Sequence, residues 1–238
     1  MRVRRPFSSS SAAVAGAALS ILALAGATHA APMIYTDRSS FDTAIFGMTA
    51  STLNFDSETA GTLIGDGDTL GGITFSYTTL AGFGVTMKIV DAADTTSPAN
   101  SLGTDDGDVF QGGDEFDLGF SPVNAIGMYF ITSPDLIEDG DLTLSVGLTT
   151  ANLAAGDLQD TLADGGQVYF LGIVDAMSTF SMASVSGSGP FFLFNVDDIV
   201  TAITSNGVPA VPEPDMLALF GVGIAGLGYI RRRRNKRH

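Results

Sequence analysis

From residue 73 onward, apolar and polar positions alternate with a period of two. Ile73, Phe75 and Tyr77 alternate with Thr74, Ser76 and Thr78, and Val85, Met87 and Ile89 with Thr86 and Lys88. Phe116, Leu118 and Phe120 repeat the pattern. Its clearest form sets Leu142, Leu144, Val146 and Leu148 against Thr143, Ser145 and Gly147. This period puts one face of an extended strand on a core. Further strands are expected over Leu53–Phe55, Asn124–Ile131, Val168–Val174, Phe180–Val185 and Phe191–Val200. About nine short strands between Gly-, Asp- and Ser-containing loops predict an all-β fold, an antiparallel sandwich or jelly-roll-like domain. Before them, Met33–Thr36 reads as extended. Ser39-Ser40 offers an N-cap for a short helix with Phe41, Ala44, Ile45 and Met48 at helical spacing. Residues 151–166 read as a loop with one helical turn, and no repeat supports a solenoid.

The ends follow a different logic. Arg2, Arg4 and Arg5 precede an apolar run from Ala12 to Ala27 and small residues at Thr28-His29-Ala30. That order predicts a secretory signal peptide over 1–30, a transmembrane anchor being the alternative. At the other end, Val211, Pro212, Glu213 and Pro214 precede an apolar span, 216–230, and the basic cluster Arg231, Arg232, Arg233 and Arg234. Fifteen residues make a helix of about 22 Å, shorter than a hydrocarbon core of about 30 Å. Gly221, Gly223, Gly226 and Gly228 weaken that helix further. The arginines stay cytoplasmic by the positive-inside rule, so residues 31–210 face outward. A short, glycine-broken stop behind a stiff Pro-Glu-Pro tag suits a signal that is read and removed.

This tail, over about 27 residues, resembles the PEP-CTERM sorting signal of exported bacterial proteins. The resemblance implies recognition and cleavage by a membrane exosortase, in Gram-negative bacteria that make extracellular polysaccharide. Asp215, where small residues are commoner, and the long basic tail depart from the pattern. The expected organisation is a signal peptide (1–30), a β-sandwich ectodomain (31–204), a linker (205–210) and a sorting signal with a C-terminal hydrophobic helix (211–238). More loosely, the helix-then-strands order and Phe194-Asn195-Val196-Asp197-Asp198-Ile199 resemble ectodomains that accompany such signals.

Charge narrows the chemistry. Residues 31–210 carry 24 acids against two bases, Arg38 and Lys88, a net charge of −22. Nucleic-acid binding needs clustered Lys and Arg and is excluded. His29 and His238 lie at the extremes, and the chain has no Cys. The central domain therefore holds no Ser-His-Asp or Cys-His machinery and no usual zinc set. Without cysteine, an exported domain has no disulfides, and some other source of stability must serve.

Acid-bearing glycine loops at 65–68, 104–108, 114–115 and 138–141 have two readings: a solvated surface, or hard-oxygen Ca²⁺ ligation. By analogy with jelly-roll carbohydrate-binding modules, whose first and last strands share a structural calcium, Asp56, Glu58 and Asp197 form a candidate Ca²⁺ site. Asp197 falls in an apolar strand, where an acid must be hydrogen-bonded, edge-exposed or metal-bound. A glycosidase needs two carboxylates at fixed separation, and no pair stands out. Two functions remain. One is a non-enzymatic envelope or matrix protein, briefly held in the inner membrane, processed by an exosortase and associated with exopolysaccharide or biofilm matrix at the cell surface. The other is a calcium-dependent carbohydrate-binding module.

Overall fold

The computed structural model describes residues 30–78, 80, 84–91, 95–97, 99–133, 137–189 and 192–204. All of the expected signal peptide but Ala30, the linker and the whole sorting signal lie outside them, including Val211 to Pro214, the apolar span and Arg231 to Arg234.

The elements run β1 (Met33–Tyr35), α1 (Arg38–Ala44), β2 (Thr49–Leu53), β3 (Leu63–Ile64), β4 (Thr69–Leu70), β5 (Ile73–Ser76), β6 (Met87–Val90) and β7 (Ser101–Thr104). They continue with β8 (Phe110–Gln111), β9 (Glu115–Val123), β10 (Ala125–Thr132), β11 (Leu142–Val146) and β12 (Thr149–Asn152). After a 3₁₀ turn at Ala155–Asp157 come β13 (Asp160–Thr161), β14 (Gln167–Val174), β15 (Phe180–Gly187) and β16 (Leu193–Ile203). One sheet has the order β1-β14-β10-β16-β7-β6-β3, with β2 and β8 also on β16 and β13 on β14. The other has the order β12-β11-β15-β9-β5-β4. Every pairing is antiparallel. The expected all-β sandwich is what the chain forms.

The alternation read in the sequence becomes the core between the sheets. Phe75, Phe116, Leu118, Leu142, Leu144 and Val185 face Ile126, Met128, Phe130, Tyr169, Leu171 and Phe194. Phe110 stacks on Phe116 and Phe194 at centroid distances of 5.0 and 5.1 Å. Leu148 departs from its predicted place on this face. The strand stops at Val146, Gly147 turns with φ 56°, and Leu148 is fully exposed.

The first sheet has a second apolar face, covered by α1. Phe41, Ile45, Ala125, Phe170, Val174 and Val200 pack there. Gly127 and Gly172 face each other across β10 and β14, and Phe41 sits over both. A methyl on Gly172 would lie 2.6 Å from Phe41 Cδ2. The helix is capped two residues before Ser39, the earlier of the two serines expected to cap it: Asp37 is the N-cap. Its two carboxylate oxygens accept separately from the N–H groups of Ser39 (3.3 Å) and Ser40 (2.9 Å).

Candidate functional site

A bulge near the middle of β16 creates the most unusual chemistry in the fold. Gly127 pairs with Val200, but Tyr129 pairs with Asp197, so β16 carries an extra residue. Asp198 takes it up with φ 48°, a region Asp tolerates better than most residues. Before the bulge, Phe194 and Val196 face the core, which leaves Asn195 and Asp197 for the opposite face. After it, Ile199 faces the core and Val200 the helix.

Asp197 is completely buried and surrounded by donors. Thr96 gives it a backbone N–H (3.1 Å) and a hydroxyl (2.7 Å), Ser97 another N–H (3.1 Å), and Asp198 its own N–H (2.8 Å). The Ser97 hydroxyl lies 3.3 Å from both oxygens. Burial pushes the carboxyl up to about 6, while the Thr96 and Ser97 bonds pull it back. Burial also raises Asp198, opposed by Arg38 and by the Thr96 hydroxyl.

Arg38 completes the constellation. Its Nε bonds Asp42 at 2.8 Å. Its guanidinium carbon lies 5.6 Å from the ring centre of Tyr129 and 5.7 Å from that of Phe170, within cation–π range. The other base of the domain, Lys88, pairs with Asp108. Beside Arg38 opens a cleft of about 360 Å³, lined by Asp37, Arg38, Thr96, Tyr129, Asp160 and Leu162 among others. A smaller cleft of about 190 Å³, with Ile131, Asp164, Leu193 and Asn195 in its wall, lies on the same face. Ile131 pairs with Val168, which lines the larger cleft, so the two are neighbours. Guanidinium, hydroxyl, amide and carboxylate groups line the two clefts beside a few apolar side chains.

The predicted calcium trio is not assembled as a metal centre. Asp56 accepts from the Asn54 amide (2.9 Å) and the Asn100 N–H (3.3 Å). Glu58 accepts from the Ser57 hydroxyl. With the oxygens of Asp197 ringed by N–H and O–H groups, a cation would displace donors rather than fill a vacancy. No group of three His, Cys, Asp or Glu side chains is placed to hold a metal among the described residues. The acidic loops have a third role that neither sequence reading covered: their carboxylates fasten turns. Asp68 accepts from Gly65 N–H, Asp66 from Tyr77, Asp105 from Thr86, Asp139 from Ala155 and Asp141 from Glu138, all within 2.9 Å. Sequence reasoning also passed over Thr96, Ser97 and Arg38. Only the polar run Thr95-Thr96-Ser97 hinted at a donor loop.

Fold and site together define a disulfide-free, antiparallel β-sandwich with a helix-covered outer face and a buried, hydrogen-bonded carboxyl group. The tail supplies the address. Residues 210–234 match the PEP-CTERM protein-sorting motif, as the Val-Pro-Glu-Pro, apolar span and arginine cluster predicted. The motif marks an exported protein recognised by an exosortase and sorted through the membrane. No curated protein matches the chain. Among the described residues, no helix is long and apolar enough to cross a membrane, and the expected transmembrane helix at 216–230 lies outside them.

Proposed function

We propose that the chain is a non-enzymatic envelope or matrix protein. It is exported, held in the inner membrane until an exosortase cleaves it, then retained at the surface with exopolysaccharide or biofilm matrix. One observation carries the reading: a sorting motif at 210–234 follows a sandwich whose described carboxylates serve mainly as turn fasteners and structural acids. Asp197, the acid with the most perturbed proton affinity, is sealed from solvent and from any substrate. Fractionation of native cells with and without the exosortase tests this. Matrix retention that depends on the enzyme supports it, and hydrolytic activity of the purified chain on the host polysaccharide refutes it.

The adjoining clefts favour a second reading, a carbohydrate-binding module. Its calcium dependence has no support in the ligand geometry. A pull-down with the host polysaccharide separates the readings: saturable binding lost on Arg38→Ala and Tyr129→Ala selects the module.

A further inference from the structure

The two ends of the sandwich are chemically opposite. Met33 pairs with Val174, Val174 with Ala125, Ala125 with Ala202, and Ala202 with Ala50, forming one row across the first sheet. The start and end of the described chain therefore leave from the same end. Met33 and Ala202 stand three strand spacings apart, about 14 Å. Phe46 lies there too, in the turn between α1 and Thr49, which pairs with Ile203. In the second sheet, Phe180 pairs with Val123 just before β10 begins, so β11 runs toward that end and Leu148 tips its hairpin. Five of the large exposed apolar side chains thus share one end: Met33 (60%), Ile34 (45%), Phe46 (90%), Leu148 (106%) and Ile203 (37%).

The carboxylates gather at the other end. Thr132 pairs there with Gln167 and Phe194, and Phe194 with Phe110. Asp105 and Asp106 precede Phe110, Glu115 opposes Ser186, Asp139 precedes Leu142 opposite Gly187, and Asp164 precedes Gln167. At the apolar end Asp175 follows Val174, its carboxylate taken by the N–H groups of Met177 and Ser178.

We propose that this apolar end docks on the outer leaflet of the membrane, with Phe46 and Leu148 in the lipid interface and the acidic end turned away. Only eleven residues, 205–215, separate Thr204 from the apolar span at 216–230. Even fully extended they reach about 40 Å, so the end carrying Ile203 is tethered near the lipid surface. Isolated aromatic and aliphatic tips partition into the headgroup boundary. Anionic lipids repel the carboxylate-rich end, which selects the same orientation. The inference rests on the reading of 216–230 as a membrane-inserted stretch.

The chain has no cysteine, so single thiols can be placed at will. The full chain is reconstituted into vesicles of phosphatidylethanolamine with a minority of phosphatidylglycerol. It carries one environment-sensitive fluorophore at F46C, L148C, D106C or E115C, and quenching by a shallow spin-labelled lipid is read after flotation. The expected result is co-flotation of every variant, with quenching several-fold greater at positions 46 and 148 than at 106 and 115. Adding Phe46→Ser and Ile34→Ser to the L148C chain should lower its quenching. Co-flotation with no quenching at 46 and 148, or with equal quenching at both ends, overturns the docking while leaving membrane insertion intact. Absence of co-flotation removes both.

Discussion

Thr96 and Asp197, 101 residues apart in the chain, are joined by two hydrogen bonds to one carboxylate oxygen, from the backbone N–H and from the hydroxyl. The contact ties a loop to the middle of the longest strand and closes the outer face over a buried acid. Thr96→Val keeps the shape and the N–H but removes the hydroxyl. A hydrogen bond to a charged group is worth about 1.5–3 kcal/mol, so the variant should lose about that much at pH 7.5. The loss should shrink at pH 4, where the acid is protonated. Denaturant unfolding at both pH values checks it, and an equal loss at both would place the effect in packing instead.

The same carboxyl makes stability depend on pH. Burial raises Asp197 to about 6 in the fold, against about 3.9 in an unfolded chain. The folded state therefore holds a proton that the unfolded state has released. Its stabilising contribution is complete below about pH 4 and is lost as pH rises through about 6. Two units correspond to about 3 kcal/mol. Between pH 4 and 7.5, the wild-type chain should lose up to that amount more than Asp197→Asn, which cannot titrate. Parallel stability curves would show that repulsion among the other acids supplies the whole slope.

Phe41 reaches the sheet because two strand positions lack a side chain. A Cβ on Gly127 would fall 2.6 Å from Phe170 Cζ and 3.1 Å from Phe41 Cζ, and one on Gly172 2.6 Å from Phe41 Cδ2. Gly172→Ala forces both rings aside, an overpacking that costs about 1–3 kcal/mol. Phe41→Ala leaves a cavity and costs about 3–5 kcal/mol. In the double variant the added methyl no longer meets the ring, so the two losses should sum to less than their separate values. Strict additivity in thermal unfolding would break the proposed contact.

How much of this was legible depends on what each residue had to signal. The centres of both sheets were readable because Leu142, Leu144, Phe116, Leu118 and their like alternate over several residues, whereas the short edge strands β4 and β12 were not, and β12 runs into the stretch 151–166 read as a loop. β7 was not. Ser101-Leu102-Gly103-Thr104 offers one large apolar side chain, yet all four residues are buried. Gly103 is there for closeness, since a methyl would meet the Asp108 carbonyl oxygen at 2.2 Å, and closeness leaves no periodic trace. β14 and β10 are apolar on both faces because α1 covers the second one, which a sequence shows only as a continuous run. Asp197 announced itself as an acid in an apolar strand. Its partners did not, because Thr96 and Ser97 meet it only through the fold. The sorting motif needed no fold at all, being read by an enzyme as a linear signal.

That linear character makes the next expectation simple. Proline fixes its own φ and restricts the residue before it, and Pro212 and Pro214 are the two prolines of the matched motif. Changing both to Ala should leave export and the sandwich unaltered but block removal of the tail. Mass spectrometry of the protein from native cells would show an uncleaved C-terminus accumulating in the membrane fraction. Cleavage at the normal rate would remove the stiff tag from the recognition step.

Divalent cations provide the last test. A specific Ca²⁺ site stabilises the folded state through mass action, because the ligand binds only the fold. The oxygens of Asp56 and Asp197 already accept from Asn54, Asn100, Thr96, Ser97 and Asp198, so calcium gains nothing there that it would not first have to break. Repulsion among the excess carboxylates is a separate matter, relaxed by any salt through screening. The melting temperature of the full chain should therefore rise with ionic strength and be the same in CaCl₂, MgCl₂ and NaCl at matched ionic strength. Asp56→Asn should leave that salt response unchanged. A rise unique to Ca²⁺ and abolished by Asp56→Asn would mean that the donors around these carboxylates give way to a metal, and would restore the calcium-dependent reading of the domain.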